Sequence, residues 1–140
     1  MQPAKAAMPE VTPEQRDTLL RAAREAMQRA YAPYSKFLVG AAVLTDGGNI
    51  HAGCNVENAS YGLTICAERS AIFTAVAAEG TLKIRAIAVT NAAGVACSPC
   101  GACRQVIFEF GPDALVIFQG SKGVESARAS ELLPAGFTLL

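Results

Sequence analysis

The sequence predicts an α/β protein, a three-layer α/β/α domain whose mixed central sheet of about five strands is flanked by helices. Three observations predict it. Helical periods alternate with short, β-branched apolar runs along residues 12–118, the pattern of a sheet covered by helices. At 140 residues, with 51% hydrophobic and only 17% charged, the chain has ample apolar material for one compact core and is not disordered as a whole. No internal repeat and no long linker divides it. Residues 12–140 are therefore expected to form a single domain, preceded by a small-residue, proline-containing tail over 1–11 that is expected to be mobile.

Each element has its own signal. Thr12-Pro13-Glu14-Gln15 is a helix start: a hydroxyl N-cap, a proline at the first helical position where no amide donor is needed, and a glutamine that can close a capping box. Leu19, Leu20, Ala23, Met27 and Tyr31 then recur at helical spacing until Pro33 prevents continuation. Residues 37–45 predict a strand, Asp46-Gly47-Gly48 a hairpin turn, and residues 49–56 an antiparallel return strand. After a small, polar loop over 58–64, residues 65–78 carry Ala67, Ala71, Ile72, Ala75 and Val76 and suit a buried helix, stopped by Gly80. A strand over 84–89, a connection over 91–99, a helix over 101–110 ended by Gly111 and a strand over 114–118 complete the pattern.

Charge and hydropathy exclude several function classes. Lysine plus arginine and aspartate plus glutamate each number 12, so the net charge is zero, without the clustered basic surface that a nucleic-acid polymer requires. Apolar runs such as 38–44 are far shorter than the roughly 20 residues of a membrane span, and residues 1–10 have no signal-peptide core. The expectation is a cytoplasmic protein with no membrane partner. Five cysteines are an odd number and too few for a disulfide scaffold, which points to free thiols or metal ligands. A mean hydropathy of +0.28 leaves more apolar material than one such core absorbs, so part of it is expected to face another subunit.

The chemistry concentrates where two predicted helices begin. Cys66 opens one, and Cys100 and Cys103 begin the other with C-x₂-C spacing. The 33 residues between Cys66 and Cys100 allow a helix, a strand and a return loop, so both helix starts can meet at the same end of the sheet. Amide donors and the positive helix end favour thiolates, the form that binds zinc. A structural zinc site is closed by four protein ligands, whereas a catalytic one keeps a position for water. Cys97, Cys54 and His51, the only histidine, lack the paired spacing of a fourth ligand, which favours an open site. Glu68, two residues after Cys66, can approach that open position as a proton shuttle without ligating the metal. Zinc with three thiolates is already net negative, which makes ionising a water harder. Arg69 and Arg104, each next to a ligand, could offset this by donating to thiolate sulfurs.

Cys66-Ala67-Glu68 followed by Pro99-Cys100-Gly101-Ala102-Cys103 resembles the zinc-dependent deaminase signature in its three-cysteine form. Residues 34–42, 53–61 and 64–72 extend the resemblance to the small cytidine deaminases over about 19–137. That resemblance implies one Zn²⁺ per chain on Cys66, Cys100 and Cys103. It also implies hydrolytic deamination of cytidine and deoxycytidine to uridine and deoxyuridine, with zinc hydroxide attacking C4 and Glu68 carrying protons to N3 and to the departing ammonia. It places Asn55 and Glu57 on the ribose hydroxyls, Phe37 against the base or sugar, and the Ala67 amide on the base carbonyl. It further implies a homotetramer with shared pockets, Phe137 covering a neighbour's base and Ala59 and Tyr61 lining a neighbour's pocket; the apolar end of the chain, residues 132–140, fits such docking. By residue type alone, Asn55 and Glu57 are polar residues of an exposed strand face, and Phe137 is equally a subunit anchor. Two alternatives stand beside this reading: a deaminase of an aminoacylated cytosine nucleoside antibiotic of the blasticidin type, and a zinc-stabilised binding module in which Glu68 has no role.

Overall fold

The computed structural model describes residues 10–139, and these form one five-stranded mixed sheet with helices on both faces. In chain order the elements are α1 (Pro13–Met27), β1 (Val39–Thr45), β2 (Ile50–Cys54), a 3₁₀ turn (Tyr61–Leu63), α2 (Ala67–Glu79), β3 (Ile84–Asn91), α3 (Gly101–Phe110), β4 (Leu115–Gly120), β5 (Gly123–Arg128) and a short α4 (Ala129–Leu132). The strand order is β2-β1-β3-β4-β5; β3 and β4 are parallel, and every other pairing is antiparallel. The expected three layers are present.

Side-chain alternation along the strands sets which face each helix covers. Ala42 and Leu44 of β1, Ala86 and Ala88 of β3 and Ile117 of β4 pack under Leu19 and Ala23 of α1. Their neighbours Ala41, Val43, Ile87, Val89 and Val116 face Ala71, Ile72 and Ala75 of α2 and Ile107 of α3. Two glycines allow the helices to approach this closely. A Cβ on Gly40 would lie 1.9 Å from the Ala23 carbonyl oxygen, and one on Gly53 would lie 2.4 Å from the Ala71 amide nitrogen. The capping box forms as the sequence predicts: the Thr12 hydroxyl accepts from the Gln15 amide at 3.1 Å, and the Gln15 side chain accepts from the Thr12 amide at 3.0 Å.

Several expectations are corrected. The helical stripe does not reach Tyr31, because α1 ends at Met27; the Tyr31 amide instead donates to Asn55 O at 3.0 Å and its carbonyl accepts from Glu57 N at 2.8 Å. That nonlocal pairing captures the chain before Pro33 could end the helix. The strand expected over 49–56 stops at Cys54, and the helix expected from 65 begins at Ala67. β5 and α4 carry no signal strong enough for the sequence reading: β5 pairs only with β4 and buries none of its residues fully, and α4 is a single turn. Of the tail expected to be mobile, residues 1–9 lie outside the described residues. Glu10 and Val11 are docked, with Arg85 donating to the Glu10 carbonyl and Val11 packing against the core under α1.

Gly40→Ala is expected to destabilise the chain by at least about 2 kcal/mol, since the added methyl meets backbone rather than a movable side chain. Denaturant unfolding of the two proteins checks this; an unchanged midpoint would contradict the helix-sheet contact described here.

Candidate metal centre and substrate cavity

Pairing of Val39 with Asn91 brings the start of β1 to the carboxyl end of β3, and the first turns of α2 and α3 open at this same end. Here lies a cavity of about 270 Å³, lined by residues from β1, β3, both helix starts and the segments after β2 and before α3. Clefts outside the carboxyl ends of strands are where α/β sheets place ligands. The volume is at the small end of ligand pockets and suits a small molecule rather than a polymer.

Cys66 and Cys100 are the N-caps of α2 and α3, and Cys103 lies in the first turn of α3. Neither capping sulfur accepts a hydrogen bond from a backbone amide of its own helix, which leaves both open to a ligand. The three sulfurs lie within 4.8 Å of one another. Tetrahedral zinc–thiolate bonds of about 2.3 Å place sulfurs roughly 3.8 Å apart, so the cluster fits a shared ion with small movements. A set of three sulfurs without oxygen donors suits zinc and not magnesium or calcium. The Cys66 thiol is drawn down to about 5, first by its interaction with the Cys103 thiol and then by Arg69, against the opposing effect of burial. Cys103 is correspondingly pushed up, chiefly by the same partner. Metal binding requires all three thiols to give up their protons. The sequence reading attributed the thiolate to helix amides; the structure assigns it to Cys103 and Arg69.

Arg69 Nη2 donates to Cys66 Sγ at 3.3 Å, and its buried Nε has no hydrogen-bond partner among the described residues. Its own basicity rises through the bond to Cys66. Arg104 departs from expectation. Its three nitrogens donate to Pro99 O, Leu132 O and Ser98 Oγ at 2.7, 2.9 and 2.9 Å, so the side chain braces backbone and does not reach a sulfur.

Glu68 is buried in the first turn of α2 and lines the cavity beside Cys66 and Cys100. Burial raises its carboxyl to about 7, opposed by its own amide and reinforced by the negative charge at Cys66. A carboxyl held near neutrality can both take and give a proton. Cys97 also lines the cavity but belongs to no metal-ligating group, and burial together with the charge of Glu68 and of the neighbouring thiols keeps it a thiol. The other two cysteine and histidine candidates are placed elsewhere: Cys54 sits in β2, and His51 pairs with Glu79 at 2.5 Å.

The remaining expected substrate residues divide into two groups. Phe37, Asn55, Glu57 and Ala67 line the cavity. The Asn55 side chain holds the entry to β1, accepting from Val39 N at 2.9 Å and donating to Phe37 O at 2.8 Å. Glu57 accepts from the amides of Tyr34 and Ser35 at 2.9 and 3.1 Å and from the Ser35 hydroxyl, and that hydroxyl chiefly lowers its pKa. The left-handed Lys36, at φ 62°, completes the turn that these bonds hold. Ala59, Tyr61 and Phe137 stand outside the cavity, with Tyr61 81% and Phe137 64% exposed. The sequence reading did not single out Thr64, Thr90, Asn91 and Ser98, which also line the cavity. The carboxyl end of β3 was the available signal for Thr90 and Asn91.

A sheet with two cysteine-capped helix starts converging beside a buried glutamate defines a metal-dependent enzyme site. Residues 13–119 match the family described as the cytidine and deoxycytidylate deaminase zinc-binding region, and the chain belongs to that family. It is 46% identical over 125 residues to a cytidine deaminase of Halalkalibacterium halodurans, covering 88% of this chain and 94% of the relative. A cytidine deaminase of Sporosarcina psychrophila is 44% identical over 124 residues, covering 87% of this chain and 90% of that protein. The crystal structure of cytidine deaminase from Burkholderia pseudomallei superposes with a TM-score of 0.80 at 46% identity, covering 91% of this chain and all of that one (100%). Among the described residues no helix is long and apolar enough to cross a membrane.

The raised Glu68 carboxyl has a signed consequence for the metal-free chain. With its pKa at 4.5 unfolded and about 7 folded, the folded state binds more protons between these values, so this group's contribution falls as pH rises through 7. Metal-free Glu68→Gln is therefore expected to exceed the parent in stability by about 1–3 kcal/mol near pH 8, with the gap closing toward pH 5. Denaturant melts at both pH values check this, and equal stability at pH 8 would contradict it.

Proposed function

We propose that the chain is a zinc-dependent hydrolase of pyrimidine salvage that deaminates cytidine and deoxycytidine to uridine and deoxyuridine with release of ammonia. The observation that carries this reading is the buried Glu68 carboxyl, lining a cavity of about 270 Å³ together with Cys66 and Cys100 of a three-thiol cluster. Residues 12–140 act in it as one catalytic domain. The name cytidine deaminase carried by relatives 44% and 46% identical favours the plain nucleoside over the aminoacylated antibiotic.

Cys66, Cys100 and Cys103 would hold one zinc ion, which when bound supplies Lewis-acid activation of a water molecule. Glu68 takes one proton from that water and delivers it to N3 of the base. It then takes the second and delivers it to the 4-amino group. The C4–N bond breaks as the water oxygen stays on C4, so one water is consumed and one ammonia leaves. The Ala67 amide, at the first position of α2, has no acceptor within its helix and is free for the base carbonyl. Phe37 packs on the base or sugar. Asn55 and Glu57 keep acceptor and donor capacity beyond the bonds that hold the loop before β1, and bind the ribose hydroxyls with it. Arg69 withdraws negative charge from Cys66 and so offsets the cost of ionising a water beside three thiolates.

The same reading makes the enzyme a cytoplasmic homotetramer. Tyr31, Tyr34, Tyr61, Leu63, Phe73 and Phe137 are large apolar side chains left exposed on one chain, more than a lone domain ordinarily presents. A neighbour's Phe137 would then cover the base, with Ala59 and Tyr61 completing the wall of an adjoining pocket.

Glu68→Gln is expected to keep its zinc and its fold but to lose at least about a hundredfold in turnover, read as ammonia released from cytidine. Near-normal turnover would sink the proton-shuttle role. Deletion of residues 137–140 is expected to weaken assembly and activity together, followed by sedimentation and the same assay; a fully active monomer would exclude shared pockets.

A further inference from the structure

The metal ligands and the C-terminal segment are joined through one side chain. Arg104 follows Cys103 in α3. From there its Nε donates to Pro99 O at 2.7 Å and its Nη2 to Ser98 Oγ at 2.9 Å, both in the loop that delivers Cys100 to the metal cluster. Its Nη1 donates to Leu132 O at 2.9 Å, the last carbonyl of α4, which has no acceptor role within that helix. Pro99 has no amide to donate, so the loop gains its hold through carbonyl and hydroxyl acceptors, and on its far side through Cys97 N to Gln119 O at 2.9 Å. The next residue, Gln105, donates to Phe137 O at 3.1 Å. Gly136 packs so closely on the Phe108 ring that a Cβ would lie 2.9 Å from it. Three positions of α3 thus hold the C-terminal segment 132–137, while the same helix carries two of the three metal-ligating thiols.

We propose that Arg104 is a positioning residue that couples zinc binding to docking of the C-terminal segment, so that each stabilises the other. The planar guanidinium makes its bonds in fixed directions, and it can satisfy Pro99, Ser98 and Leu132 together only when the Cys100 loop and the end of α4 are both in place. Locking Cys100 on the metal fixes one side of this arrangement and lowers the cost of ordering the other. By linkage the effect runs equally in both directions. The proposal rests on the three-thiol metal site but not on the deamination reaction, so an inactive protein that still binds zinc leaves it open to test.

The test measures zinc affinity by competition with a chromophoric chelator, and amide hydrogen exchange over residues 133–139. The full chain is compared with Arg104→Gln, Arg104→Lys, the chain shortened to residues 1–131, and the shortened chain carrying Arg104→Gln. In the unaltered chain, zinc is expected to slow exchange over 133–139. Arg104→Gln and the truncation are each expected to weaken zinc about 5- to 50-fold, with the combined variant no weaker than the worse of the two. Arg104→Lys keeps the charge without the fork and is expected to recover only part of the loss. Additive losses in the combined variant, or exchange over 133–139 that zinc leaves unchanged, would overturn the proposal. The exchange measurement needs no variant, so a substitution that fails to fold does not shield it.

Discussion

Three thiols within 4.8 Å of one another are the constraint on which the site depends. As thiolates they would repel, and the Arg69 guanidinium, donating to the Cys66 sulfur, offsets part of that charge. Convergence requires two helices to begin at the same end of the sheet. The close approach of α2 at Gly53 sets where Cys66 stands, and the parallel β3–α3–β4 crossover returns Cys100 and Cys103 to the same edge. A cation in the cluster resolves the repulsion that the fold creates.

The cavity follows from that arrangement. Cys66 and Cys100 line it, and in the metal-free chain burial of Glu68, reinforced by charge at Cys66, raises its carboxyl to about 7. At the cavity's other wall, Asn55 and Glu57 hold the 34–39 segment with side-chain bonds to backbone, which fixes where Phe37 faces the opening. Acidic groups are thus treated in two opposite ways within one small site. Glu57, supplied with three donors, is held ionised, while at Glu68 burial outweighs a single amide donor and raises the carboxyl.

Much of this was legible in the sequence because its signals are local. The Thr12–Gln15 capping box, the apolar strand ended by Asp46-Gly47-Gly48, and the cysteines at helix starts with Glu68 beside them all use signals a few residues long. What was not legible depends on contacts distant in the chain. Tyr31 leaves the helical stripe because it pairs with residues 55–57. Arg104, adjacent to a ligand, finds carbonyls and a hydroxyl, one of them on α4, in place of a sulfur. β5 buries none of its residues fully and so lacks the apolar alternation that announces a strand. The anchoring of Glu57 by Ser35 joins two residues 22 apart and has no local pattern.

An open metal site would have three thiolates from two helix starts, a fourth position for water, and Glu68 beside it. X-ray absorption at the zinc edge of the loaded chain distinguishes it from a closed one. Three sulfur neighbours and one lighter oxygen or nitrogen neighbour per zinc are predicted. Four sulfurs, with Cys97 completing the set, would make the site closed and structural and would contradict the account.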